Sequence, residues 1–170
     1  LPGRPHGITI LDDQRVLVVA RRPGDWLGVF DVGTAKLNTF WCEGESSLNG
    51  HAVVVPGTQP NGPPTVWTTE TDKLTGNGLV VQRDFRTLEV LTRYSSGGTD
   101  PHELLLVPTV GAGQSAPIRA MALLVANGGL QTSSLTGRVV AEAEQVRSTL
   151  VLIHPNTGTC SRSGGCPTRF

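Results

Sequence analysis

A histidine-led motif that recurs three times is the feature of this sequence that most limits its possible folds. In each copy a glycine or proline lies beside a histidine, and a short apolar segment follows. The copies are RPHGITIL (4–11), NGHAVVVP (49–56) and DPHELLLV (100–107). Their histidines, His6, His51 and His102, are separated by 45 and 51 residues. Self-similarity at such a period is typical of folds built from repeated supersecondary units.

Each motif is followed by further short apolar segments with turn residues between them. The second segments are VLVVARRPG (16–24), TVWTTETD (65–72) and ALLVANGG (122–129), and the third are LGVFDVGT (27–34), GLVVQRDFRT (78–87) and TLVLIHPNTGT (149–159). The first two repeats can add a fourth, KLNTFW (36–41) and LEVLTRY (88–94). Four short antiparallel strands in a WD40-like repeat length are typical of a β-propeller blade. The sequence therefore predicts an all-β chain of about three four-stranded blades that begin near residues 5, 50 and 101.

The composition agrees with this fold and excludes two classes of partner. The 170 residues include 21 glycines and 12 prolines, which supply the frequent turns of an all-β protein. Lysine plus arginine equals aspartate plus glutamate at 14 each, so the chain lacks the positive charge that nucleic-acid binding needs. We expect no membrane span, because no apolar stretch approaches about 20 residues.

The propeller fold places the repeated histidines. The first strand of a blade lies along the central channel, so a residue at its start lies at one mouth of that channel. The second strand returns antiparallel, and a turn centred on Asp13 and Gln14 places His6 opposite Arg21. By the same logic Glu70 returns near His51, and Asn127 near His102. The predicted cluster at the channel mouth consists of His6, Arg21, His51, Glu70, His102, Glu103 and Asn127.

The cluster has two interpretations from sequence alone. Inner-strand histidines can tie neighbouring blades together by hydrogen bonding, which is a structural role. Imidazoles and carboxylates are also suitable ligands for zinc, iron or copper, and Arg21 with Arg22 can clamp a carboxylate or phosphate. The identity of the metal, cofactor or small ligand stays open.

Other motifs offer no catalytic machinery, so we assign no catalytic residue. GAGQSA (111–116) has the glycine spacing of a dinucleotide loop, but Pro117 and an apolar strand follow where a helix must begin. We interpret it as an enlarged hairpin loop. Cys160 and Cys166 can close a small loop that leaves Cys42 unpaired, and the count of three sets no redox compartment.

Several segments together resemble the bacterial domain-of-unknown-function family 1513. They are LPGRPHG, VVARRPG, VFDVGT, NGHAVV, TTETD with TGNGLV, DPHELLL and LLVANGG, in collinear order over residues 1 to 153. The resemblance implies a seven-bladed propeller, export by the twin-arginine route to the periplasm, and genes beside imelysin-type iron-regulated genes. It marks as signature positions His6, Arg21, Arg22, His51, Glu70, His102, Glu103, Leu104, Asn127, Gly128 and Gly129, and it assigns none of them a catalytic role.

The chain departs from the family pattern in three places, the first being the turn Asp12-Asp13-Gln14, where members often carry Pro-Asp-Gly. Ser133-Ser134-Leu135 stands where members carry a His-Pro-Asp type stretch, and the ending CSRSGGCPTRF is unlike family sequence. We therefore describe residues 1–170 as a single partial propeller domain with a divergent tail over residues 154–170. Because propellers close with about 4–8 blades, we expect the missing blades to come from the rest of a longer chain or from another chain.

Two functions are expected at this stage. The first is a non-catalytic periplasmic binding or scaffold protein, associated with iron uptake, whose partner is a small ligand, a metal or a protein. The alternative is a metal-dependent, lactonase-like hydrolase in which a cation at the channel mouth polarises a carbonyl and activates water. The two differ in whether a bound metal takes part in turnover.

Overall fold

Three four-stranded antiparallel sheets follow one another along the chain. The computed structural model describes residues 1–42, 44–57, 62–109, 120–133, 137–139, 146–155, 158 and 160–163. The first sheet contains β1 (Pro5–Ile10), β2 (Arg15–Ala20), β3 (Trp26–Asp31) and β4 (Lys36–Trp41). The second contains β5 (Ser46–Val55), β6 (Thr65–Asp72), β7 (Gly78–Asp84) and β8 (Val90–Ser95). The third contains β9 (Pro101–Thr109), β10 (Ala120–Asn127), β13 (Thr149–Ile153) and β14 (Cys160–Ser163), while β11 (Gln131–Ser133) and β12 (Gly137–Val139) form a separate hairpin.

The predicted all-β architecture of blade-like sheets is confirmed, and the three sheets begin at Pro5, Ser46 and Pro101. In each sheet the strands pair in the order of the chain, as in a propeller blade, and the sheets are not closed into a ring. The third sheet gains a fourth strand, β14, inside the segment expected to be a divergent tail. The β11–β12 hairpin was not predicted, and GAGQSA and Cys166 lie outside the described residues.

Aspartates set the turns at the outer hairpins. Asp31, Asp72 and Asp84 each accept hydrogen bonds on Oδ1 from the backbone N–H and the hydroxyl of the threonine three residues later. This side-chain bonding to the local backbone is why Asp-x-x-Thr recurs between strands. These bonds lower the pKa of all three carboxyl groups, so the turns keep their charged acceptors at neutral pH.

The sheets pack face to face around two apolar cores. The core between the first and second sheets contains Leu17, Val19 and Leu27 of the first sheet and Leu48 and Val66 of the second. The other core lies between the second and third sheets, where Trp67 stacks on Tyr94 with ring centroids 5.5 Å apart. Successive residues of β6 therefore point into different cores, as the alternation of side chains along a strand requires.

Apolar side chains also line the outward faces of the two end sheets. On β1, Ile8 is 72% exposed and Ile10 is 73% exposed, although the neighbouring Leu17 and Val19 of β2 are buried on the opposite face. On the third sheet Leu105 and Leu150 are exposed in the same way. No helix among the described residues is long and apolar enough to cross a bilayer.

A buried ion pair occupies the interior of the second sheet. Glu70 is 1% exposed and Arg83 is 5% exposed, and Arg83 Nη2 donates to Glu70 Oε1 at 2.7 Å. The hydroxyls of Ser46 and Thr68 donate to the two carboxylate oxygens of Glu70 at 2.5 and 2.6 Å. Arg83 Nη1 also donates to the carbonyl of Leu88. The carboxylate is therefore fully engaged within its own sheet.

This network generates a prediction about stability. Replacing Glu70 with alanine leaves the Arg83 charge buried and uncompensated, which costs about 3–5 kcal/mol of the free energy of unfolding. Urea denaturation measures the loss. Glu45→Ala is the matched control because Glu45 is exposed, and its effect is expected to stay within about 0.5 kcal/mol. Equal effects of the two substitutions would contradict this account.

Candidate functional site

Each repeated histidine lies at a break in the register of its inner strand. In the first sheet Pro5 pairs with Ala20 and Gly7 with Val19, which leaves His6 unpaired in the ladder. In the third sheet Pro101 pairs with Asn127 and Glu103 with Ala126, which leaves out His102. In the second, residues 49–51 lie opposite a single residue between the pairs Leu48–Glu70 and Ala52–Thr68. Such bulges redirect a side chain, and here they occur at the same position of three successive blades.

The three rings meet, as the repeat predicted. The ring centroids of His6 and His51 are 4.9 Å apart, those of His51 and His102 are 4.9 Å apart, and those of His6 and His102 are 6.2 Å apart. Nε2 of His6 lies 3.2 Å from Nε2 of His51. One nitrogen from each ring lies within 4.8 Å of the others. His6 is exposed while the other two are half-buried, so the cluster opens to solvent on one side.

Glu103 orients the central ring. His51 Nδ1 lies 3.1 Å from Glu103 Oε2, and a carboxylate only accepts, so Nδ1 carries the proton and Nε2 faces His6. Burial lowers the pKa of His51, and Glu103 opposes that shift while His102, His6 and Arg22 reinforce it. The net effect keeps His51 neutral at neutral pH, with a lone pair on Nε2. This carboxylate–histidine arrangement is typical of metal-binding imidazoles.

His102 has a different partner. Arg22, two residues after the end of β2, pairs with Asp100 through Nη1 and approaches His102 Nδ1 with Nη2 at 2.6 Å. The Asp100 side chain is fully buried and that of Arg22 is 12% exposed. Asp100 has a φ of 54°, a left-handed conformation uncommon outside glycine, asparagine and aspartate. The ion pair joins the first sheet directly to the third.

Glycines permit the inner strands to approach. A Cβ on Gly7 would lie 2.1 Å from the carbonyl oxygen of Gly50, and a Cβ on Gly50 would lie 2.5 Å from Cδ2 of His6. Gly50 also has a φ of 106°, which L side chains rarely adopt. The glycine beside the histidine in the first two repeats is therefore a steric requirement of the cluster.

Three other predicted members, Arg21, Glu70 and Asn127, have surroundings that the repeat did not predict. The register prediction that placed His6 opposite Arg21 is wrong, because the turn pairs Ile10 with Val16 and His6 bulges out. Arg21 is exposed, and its neighbour Arg22 reaches the cluster instead. Glu70 is engaged by Arg83, and the Asn127 amide donates to the Ser96 carbonyl and the Thr149 hydroxyl. The bulges shift each returning strand relative to the inner one, so Glu70 pairs with Leu48 and Asn127 with Pro101.

Sequence reasoning missed the role of Asp100. The residue stands two positions before His102, but its carboxylate acts through Arg22, 78 residues earlier. A Cβ on Gly128 would lie 2.5 Å from Asp100 Oδ2, so the glycine that follows Asn127 leaves room for this carboxylate. The sequence signal for this contact was the presence of both Asp-Pro-His (100–102) and Asn-Gly-Gly (127–129). The two motifs come together only when β9 and β10 pair.

The Gly50 contact generates a prediction. Gly50→Ala adds a Cβ where the His6 ring lies and also strains a left-handed backbone position, so the free energy of unfolding is expected to fall by about 2–4 kcal/mol. Gly76→Ala is the control, because Gly76 has a φ of 74° but open space around its Cβ position. We expect about 1 kcal/mol there, from the backbone alone. Equal losses of the free energy of unfolding in urea denaturation would show that the His6 ring does not oppose a Cβ at position 50.

Comparison with known proteins is consistent with the collinear motifs. Among curated proteins, and among solved structures, no match was found. The sequence model of one family, DUF1513, described as a protein of unknown function, matches residues 1–168. The match therefore includes most of the segment 154–170 that was expected to be a divergent tail. The chain belongs to the DUF1513 family.

Proposed function

We propose that this chain is a non-catalytic binding protein whose three-histidine cluster binds a divalent transition-metal ion. The observation that carries the proposal is the meeting of His6, His51 and His102 nitrogens within 4.8 Å. Imidazole nitrogens suit zinc, iron, copper and nickel, whereas calcium and magnesium prefer oxygen ligands. The periplasmic location and the link to iron implied by the family resemblance belong to the same proposal.

The separation of the His6 and His51 Nε2 atoms already matches that of two ligands of one ion. Two nitrogens that bind zinc at about 2.0–2.1 Å in tetrahedral geometry lie about 3.3 Å apart. The two Nε2 atoms of His6 and His51 are separated by 3.2 Å. Because Nε2 of His51 accepts in this contact, Nε2 of His6 is the donor, and metal binding requires the His6 proton to move to Nδ1. For all three histidines to bind one ion, their rings must move closer together, because their ligand nitrogens lie up to 4.8 Å apart.

The charges around the cluster also favour a cation. A neutral His51 keeps its lone pair at neutral pH, and the carboxylate of Glu103 increases the basicity of that ring. Because protons compete with metals for imidazole, a lowered pKa extends metal binding to lower pH. Glu103 supplies one negative charge within the cluster, and its side chain is also exposed to solvent.

Metal titration tests the proposal. We expect the wild-type chain, purified without chelator, to bind one equivalent of Zn²⁺ or Fe²⁺, with affinity weakened about 100-fold or more by His51→Ala. Glu103→Gln is expected to weaken it about 10-fold, because a hydrogen-bond partner of a ligand typically contributes 10–100-fold. Competition against a chromophoric chelator measures the dissociation constants.

The fourth histidine provides the matched control. His154 follows β13 and is not part of the three-histidine cluster, so His154→Ala is expected to leave the metal affinity unchanged. Loss of binding in His154→Ala equal to that in His51→Ala would indicate adventitious histidine binding. Wild-type protein without stoichiometric metal uptake would contradict the proposed function.

A second candidate, the lactonase-like hydrolase, draws support from one observation. Three protein ligands leave a tetrahedral ion one open position, and the exposed edge at His6 gives solvent access to it. Glu70 and Asn127 are engaged elsewhere, so this chemistry would depend on the histidines and Glu103 alone. Because so few residues remain for catalysis, we prefer the metal-binding function to the hydrolase.

Hydrolysis assays separate the two candidates. With Zn²⁺ added, we expect the rates of aliphatic lactone and aryl ester hydrolysis to be the same for the wild type and His51→Ala. Such equality indicates that no bound hydroxide attacks the carbonyl at this cluster. A rate that depends on both the metal and His51 would favour the hydrolase.

A further inference from the structure

The guanidinium of Arg22 is a positively charged member of the cluster, and its contact with His102 determines which ring nitrogen of His102 can bind a metal. Arg22 Nη2 lies 2.6 Å from Nδ1 of His102, while Nη1 of the same guanidinium is paired with the buried carboxylate of Asp100. A guanidinium has donors only, so Nδ1 of His102 must accept and carries no proton. A neutral imidazole has one ring proton, and in His102 it is therefore on Nε2.

This assignment makes the Arg22 contact incompatible with metal binding through a neutral His102. If the metal takes Nδ1, it needs the lone pair that Arg22 Nη2 occupies. If the metal takes Nε2, the ring proton must move to Nδ1, where it would face the Arg22 donor. Either ligand atom requires the hydrogen bond between Arg22 and His102 to break.

We propose that Arg22 competes with the metal ion for His102, so that Asp100 and Arg22 set the metal affinity of the cluster. This inference rests on the proposed function. His51 and His6 hold the ion first, since their Nε2 atoms already lie 3.2 Å apart. His102 becomes the third ligand when Arg22 moves away from it, and Arg22 stays paired with Asp100.

The buried surroundings of Asp100 indicate that the position of the arginine is built into the fold. Asp100 adopts a left-handed conformation, its carbonyl accepts from the N–H of Gly128, and Gly128 lacks the Cβ that would strike its carboxylate. A fully buried carboxylate needs a partner charge, which Arg22 provides from another sheet. Arg22 and Asp100 are thus positioning residues, which act on the metal through His102.

The inference is tested by removing both charges together. Arg22→Met with Asp100→Asn removes the Arg22 hydrogen bond from His102 Nδ1 without leaving a buried charge, and we expect Zn²⁺ to bind at least about 10-fold more tightly than to the wild type. Arg86→Met with Asp13→Asn is the matched control, because it also removes one charge of each sign, both exposed and outside the cluster. Its dissociation constant is expected to equal that of the wild type.

A spectroscopic readout separates positioning from general stability. Long-range ¹H–¹⁵N correlation in the wild type is expected to show His102 as the Nε2–H tautomer and His51 as the Nδ1–H tautomer. An Nδ1–H tautomer at His102 would overturn the inference whether or not the double variant folds. Equal Zn²⁺ affinity of wild type and double variant overturns the competition alone, whereas failure of both to bind Zn²⁺ overturns the proposed function and the competition with it.

Discussion

The close approach of the inner strands is the constraint on which the cluster depends. β1 lies against β5, and β5 against β9, and in the first contact the backbone of Gly50 occupies the space that a side chain on Gly7 would need. At the start of each inner strand the ladder with the second strand of the same sheet is irregular, and a bulge lies at each histidine. The bulges turn the three imidazoles toward one another.

Burying polar groups at this meeting point requires internal compensation. The cluster collects three imidazoles and the guanidinium of Arg22, and it is balanced by Glu103 on the solvent side and Asp100 on the buried side. Glu103, which accepts from His51 Nδ1, and Arg22, which donates to His102 Nδ1, impose opposite proton positions on the two rings. One ring thereby presents a lone pair on Nε2, and the other presents a hydrogen there, so rings of the same residue type are chemically distinct.

Several features of the site were predictable because they depend on periodicity. The recurrence of His6, His51 and His102 indicated that equivalent strands would place them at a common position, and Glu103 followed from its adjacency to His102. The prediction for Glu70 and Asn127 assumed regular pairing, whereas a bulge at each histidine shifts the register, so that Glu70 pairs with Leu48 and Asn127 with Pro101. Glu70 pairs instead with Arg83 of β7 in its own sheet, and the histidine repeat does not predict this ion pair.

Local pattern alone determined the all-β class, the three blade-like sheets and their starting points, because apolar alternation and turn residues act over a few positions. It also determined the Asp-x-x-Thr turns, which involve neighbouring residues only. The tertiary structure decided which charges face the histidines. The pairing of Arg22 with Asp100 joins residues far apart in the chain, and it forms only when the first and third sheets converge beside the second. The identity of the imidazole partners is therefore a property of the packed sheets, since it depends on bulges and close contacts that arise when strands from different repeats meet.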